Sequence, residues 1–401
     1  MADRTENSEL DVPTPSQPYA GIVENSGTPI RFKNFQDIKG ICLEVDSTAG
    51  STTILPALAI TSDEPAFHWI MDGMERVILW EAQREGIKLN LRRQETTLLV
   101  IRPDCTAELW LDTAAEVLHV LTKRSISPGT AAFETDIADV IGKSFPRVAI
   151  GPKDKVFCVF REGWRFGMIF DYNPDGDFDI TSFEQNLGAL YRDMRYRHLY
   201  DALGDNAVTT RMIASGWFPF VEIIQEMKDL LPQITSSVEL SNFERTLLKK
   251  FDPPRTQRLL DRWSTKPHLA SRSDLLKAAV NAFDRQDPIS VIKILLTEIE
   301  GVLNDAYRAV NEGASARLKE LLRFAMDSAE RKAGGSNTLL FPKTFAEYLA
   351  KQTFANFDRS CDTGTASSRH AVGHGAAAQA TYTMVRALQV MLTLDQLAFY
   401  T

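Results

Sequence analysis

The feature that most constrains this chain is a change of hydrophobic period near Asp179. Before it, apolar residues fall in short β-branched runs bounded by turn residues; after it, Phe183, Leu187, Leu190, Tyr191 and Met194 recur at helical spacing. One pattern suits a pleated strand and the other a helix face, so the expected fold class is α+β. A small, mostly antiparallel N-terminal sheet should precede a helical C-terminal part. At 401 residues the chain exceeds one ordinary core, which favours roughly two or three domains.

The expected division is a flexible tail over 1–18, an α+β domain over 19–180, a helical connector over 181–270 and a helical domain over 271–401. The tail is polar and acidic, with Pro13, Pro15 and Pro18 and no apolar core segment, so it does not read as a secretory signal. In the second part, Leu98 to Arg102 and Ala107 to Asp112 read as strands about a Pro103-Asp104 turn, and a helix is expected from Thr113 to Lys123. A hairpin joins Lys155 to Arg161 with Trp164 to Tyr172 through Glu162-Gly163.

The C-terminal 131 or so residues are read as five helices, an up-and-down bundle. Ser273 and Asp287-Pro288 open the first two, and Gly334-Gly335 closes the third. The fourth carries Phe345, Tyr348 and Leu349. The last is expected to carry Ala380, Met384, Ala387, Leu388 and Met391 on one face.

Charge narrows the possible partners. The net charge of −8 argues against a surface that grips nucleic acid as a whole, and no DNA partner is expected. Residues 271–401 are close to neutral, which leaves room for a local basic site. Cys42, Cys105, Cys158 and Cys361 are far apart and read as reduced thiols. No apolar run is long enough for a bilayer, so the expected location is the cytoplasm, without membrane association.

The most chemically pointed segment is Ser367-Ser368-Arg369-His370-Ala371-Val372-Gly373-His374-Gly375. An arginine offers a fork of donors to phosphate oxygens, and a histidine exchanges protons near neutral pH. Together they suffice in kind for metal-free cleavage of RNA by its own 2′-OH. Arg369 and His374, five apart, would be rotated by about 140° in a regular helix, whereas His370 and His374 share a face. Gly373, Gly375 and Ala376 to Ala378 carry little bulk and suit a close contact with another backbone. Histidines at i and i+4 also fit zinc, but Ala371 stands where a metalloprotease has its glutamate and no third ligand is evident.

This Arg-His-x-x-x-His-Gly pattern, late in a helical domain, resembles the HEPN family over residues 271–401. The resemblance implies a homodimer whose paired motifs line a cleft, and a metal-independent endoribonuclease of the kind found in defence and toxin systems. Arg369 and His374 would then be catalytic, with His370 and Ser368 contacting substrate, RNA as the partner and no cofactor. It also implies an acidic residue on an earlier helix that orients the site, for which Glu298 and Glu300 both qualify. Other members of that family are inert, and an inert dimerisation or partner-binding module is the alternative expectation.

Two further motifs have plainer readings. Asp171, Asn173, Asp175 and Asp177, with Gly176, match the start of a calcium loop, but Ser182 replaces its closing glutamate. A solvated acidic turn is expected there. Gly142-Lys143-Ser144 resembles the end of a phosphate-binding loop whose first glycine is replaced by Ile137.

Overall fold

The computed structural model describes residues 27–46, 50–91, 94–356 and 364–401. The 1–18 tail, Cys361 and most of the polar loop before Ser368 lie outside them. The chain divides into two compact units, one of residues 1–118 and 143–187, the other of residues 119–142 and 188–401.

The first unit is built on a six-stranded sheet. Its strands are β1 (Ile30–Phe32), β4 (Ala57–Thr61), β5 (Thr96–Ile101), β6 (Ala107–Leu111), β9 (Lys155–Glu162) and β10 (Arg165–Asp171), in the order β1-β6-β5-β9-β10-β4. Every pairing in it is antiparallel. A separate ribbon pairs β2 (Ile41–Asp46) with β3 (Ser51–Leu55). The β9-β10 hairpin turns one residue later than expected, with Glu162 opposite Arg165 and Gly163 at φ +62°, where a side chain would be strained. Leu99 and Ile101 of β5, Phe157 and Val159 of β9, and Met168 and Phe170 of β10 face one side of the sheet. They meet Phe67, Ile70, Met74 and Ile78 of helix α1 (Pro65–Arg84). The α1 positions recur three and four apart, which is what one covering helix face requires.

The helix expected from Thr113 to Lys123 is instead strand β7 (Val117–Thr122), paired with β8 (Ile137–Ser144). The cause lies at Asp112, in the left-handed region at φ +55°, whose carboxylate accepts from the backbone N–H of Glu95 and Thr96 at 2.9 and 2.6 Å. That clasp ends β6 in a turn. The alternating Val117, His119 and Leu121 then continue as a strand. Gly142-Lys143-Ser144 lies in β8, so no loop is available there to cradle a phosphate. Lys143 instead pairs with Glu116 at 2.7 Å and sits over the Phe160 ring.

Helix α2 (Ile180–Arg195) begins at the change of period, capped by the Asp179 carboxylate. The second unit continues with α3 (Arg197–Gly204), α4 (Asn206–Ala214), α5 (Met227–Thr235), α6 (Ser241–Lys250), α7 (Pro253–Ser264) and α8 (Pro267–Ala270). It closes with α9 (Ser273–Asp284), α10 (Pro288–Val310), α11 (Leu318–Ala333), α12 (Pro342–Lys351), α13 (Arg369–Gly373) and α14 (Met384–Tyr400). Asp252 and Asp287 cap α7 and α10 through the N–H groups of Arg255 and Ser290, and Gly334 ends α11 in the left-handed conformation.

One buried cluster runs from Ala138 to Tyr400. The helices of 181–270 and those of 271–401 therefore share a single core. Its axis is α14, buried over every residue from Ala387 to Tyr400. Polar residues on such a helix need partners. Gln396 accepts from the Val221 N–H at 2.9 Å, Gln389 donates to the Ser215 carbonyl, and Asp395 accepts from the Trp263 indole.

The final helix is shorter than expected. Ala380 belongs to the 3-10 turn Gln379–Thr381, and α14 starts at Met384 under a Thr383 cap. Gly375, at φ +65°, reverses the chain after α13, so Arg369 opens a separate one-turn helix and His374 caps its end.

Candidate functional site

Helix α13 is held from within. The Ser368 hydroxyl accepts from the Ala371 N–H at 3.3 Å and donates to the Ala355 carbonyl at 2.9 Å, and the Arg369 N–H donates to the Thr353 carbonyl. Ser368, Ala371 and Val372 are buried. Ser368 thus spends its hydroxyl on the fold. His374 closes the turn, its N–H donating to the His370 carbonyl at 3.1 Å. The following alanines double back: the Ala376 N–H donates to the Ala371 carbonyl, and Ala377 bridges Gly364.

The Arg369 side chain reaches α10 and forms an ion pair with Glu300. Glu298 does not share it, because Arg272 takes Glu298 at 2.7 Å and also pairs with Asp305. Of the two glutamates, Glu300 is the one that α10 places against Arg369. His370 is half-buried and His374 exposed, so the turn presents an arginine with a carboxylate behind it and two imidazoles reachable from outside. Gly373 and Gly375 are exposed, and a Cβ added at either would meet nothing within 4 Å among the described residues.

The calcium-like segment is tied up in turn geometry. Asp171 accepts from the Asn173 N–H at 2.7 Å, and the Asn173 amide donates to the carbonyls of Pro152 and Asp154 at 3.0 and 3.1 Å. Asn173 and Gly176 are left-handed, at φ +49° and +75°. Among the described residues, no group of three or more His, Cys, Asp or Glu side chains is placed to hold a metal ion. Nor is any helix among them long and apolar enough to cross a membrane.

A second site, silent in the sequence, is a cavity of about 900 Å³ in the helical unit, walled by β7, α6 and α7 and the residues around them. Behind it lies a buried charge network. Arg262 donates to Asp395 at 2.5 and 2.6 Å, to Glu222 at 2.9 Å and to the Lys123 carbonyl at 2.7 Å. Arg255 clamps Glu222 and Glu226 at 2.9 and 3.0 Å. Burial alone would raise the Glu222 carboxyl, but Arg262 and Arg255 outweigh it and hold it below the usual range. Burial wins at Asp395, whose carboxyl is pushed up despite Arg262. The network joins positions 222, 255, 262 and 395. No local spacing could have revealed it.

No family model matches this chain, and it matches neither a curated protein nor a solved structure.

Proposed function

We propose that the helical unit is a metal-independent endoribonuclease of the HEPN type, a bundle acting as a homodimer and regulated by the sheet-containing unit. The observation that carries this reading is the Arg369–Glu300 ion pair on a turn that also presents His370 and His374. A carboxylate behind the guanidinium fixes its orientation and leaves its other N–H groups for a phosphodiester. In the proposed reaction His374 removes the proton from a ribose 2′-OH and the oxygen attacks phosphorus. Arg369 stabilises the charge that develops on the phosphoryl oxygens. The bond to the 5′ oxygen breaks, and that oxygen takes up a proton from an imidazolium, of His370 or of the second subunit. The products are a 2′,3′-cyclic phosphate and a 5′-hydroxyl, and DNA lacks the nucleophile. The open Gly373-to-Ala378 surface supports pairing of two such turns.

A second reading rests on Ser368, whose hydroxyl is spent inward, and on Glu300, which already balances Arg369: the turn is then a structural anchor of an inert interaction module. The two readings separate on one set of variants. Cleavage of RNA in EDTA by the wild type, falling about 10²- to 10⁴-fold in Arg369→Ala and His374→Ala with melting temperature kept, supports the nuclease. Intact RNA with wild-type protein, together with a clear fall in melting temperature for both variants, supports the anchor.

A further inference from the structure

The cavity in the helical unit contains cations that the fold does not use. Lys123 is only 8% exposed, yet among the described residues its ammonium makes no hydrogen bond and no ion pair. It feels Glu222 and Asp395 from a distance, against Arg262 and Arg255. Lys266 and Arg258 line the same wall and are likewise without a polar side-chain partner among the described residues. The carboxylates of the wall are in the opposite condition. Glu222 and Glu226 are clamped by Arg255, Asp136 by Arg124 at 2.6 and 2.7 Å, Asp252 by the Arg255 N–H and Asp261 by the Gln257 amide. Each acid of the wall has a donor, and three bases lack an acceptor.

An ammonium that is largely desolvated and has no partner is costly; burial draws Lys123 below the usual lysine range, and an anion placed in the cavity would offset that cost. The volume is that of a small-molecule site, and every residue of its wall except Phe399 is of a polar or charged type, with hydroxyls from Thr122, Ser125, Thr135 and Thr265 among them. We infer that this cavity binds a small, hydroxyl-rich phosphate ester, its phosphate held by Lys123, Lys266 and Arg258 and its hydroxyls by the threonines and serine of the wall. A phosphate is close to dianionic at neutral pH and offers three strong acceptors, one for each unmatched base. The inference stands on the cavity alone and is independent of how α13 is read.

The test uses the full chain with ribose 5-phosphate as probe and ribose as control, followed by calorimetric titration and thermal melting. Ribose 5-phosphate should bind and raise the melting temperature, and ribose should do neither. Lys123→Met should weaken binding about tenfold or more, as loss of a hydrogen bond from a charged group predicts, while melting no lower than the wild type. Lys266→Gln and Arg258→Gln, nearer the surface, should each weaken binding less and leave the fold intact, so they carry the test if the Lys123 variant fails to fold. Absence of binding by the wild type, or equal binding by all three folded variants, would overturn the assignment.

Discussion

Two cations of the helical unit, Arg369 and Lys123, stand in opposite electrostatic states. Arg369 lies on a partly open turn and is answered by Glu300; Lys123 is buried at a cavity and is answered by nothing within bonding distance among the described residues. The fold thus pairs the more exposed cation directly and leaves the more buried one facing the cavity. Coulomb energy is modest at the exposed pair and large at the buried site. In the proposed function, Glu300 orients Arg369 toward a substrate met at the surface, whereas Lys123 waits for an anion that enters.

The contrast can be broken first at Arg262, the link between the cavity and the core. Arg262→Met removes the partner of Asp395, buried in α14, and one clamp on Glu222. A buried carboxylate left without its cation costs about 3–5 kcal/mol, so denaturant unfolding should show the largest loss of any variant named here. A stability change near zero would mean that the network is not a structural unit.

Lys123→Met should act in the other direction. Removing an unpartnered buried charge relieves a cost of about 1–3 kcal/mol, so unfolding without ligand should need more denaturant than for the wild type. A less stable variant would place Lys123 among the residues that hold the fold.

Arg369→Ala and Glu300→Gln should change stability by only about 0–1 kcal/mol, since the pair is roughly a third exposed. A double variant no less stable than either single would confirm that the two residues act as one pair.

The effect that depends on pH is expected at Glu184 in α2, whose carboxyl burial pushes up to about 7. The folded state then holds a proton that the unfolded chain releases above its ordinary value of 4.5. The resulting stability is complete below pH 4.5 and is lost as pH rises through 7. Glu184→Gln should therefore raise the melting temperature at pH 8 and leave it unchanged at pH 4. Equal shifts at both pH values would rule out titration of this group as the cause.

The α+β character was legible because period near two and period 3.6 are local properties, and the caps at Asp287 and Gly334 announced their helices for the same reason. β7 was misread because the signal that ends β6 is a tertiary one, the Asp112 carboxylate reaching Glu95 and Thr96. The break after α13 was hidden by Ala376 to Ala378, which favour helix although Gly375 before them has already turned the backbone. At the candidate site, the residues of the turn could be read from their spacing, but the partner of Arg369 could not, since Glu298 and Glu300 differ only in where α10 points them. The cavity draws Lys123 and Lys266 from positions 143 apart, and no pattern in the sequence joins them.

The most direct test is to measure RNA cleavage in EDTA and the thermal response to ribose 5-phosphate on the same two proteins, Arg369→Ala and Lys123→Met. With two separate cation sites, Arg369→Ala loses cleavage and keeps the phosphate-ester response, and Lys123→Met keeps cleavage and loses that response. Both activities lost together in either folded variant, or both kept in both, would contradict the account.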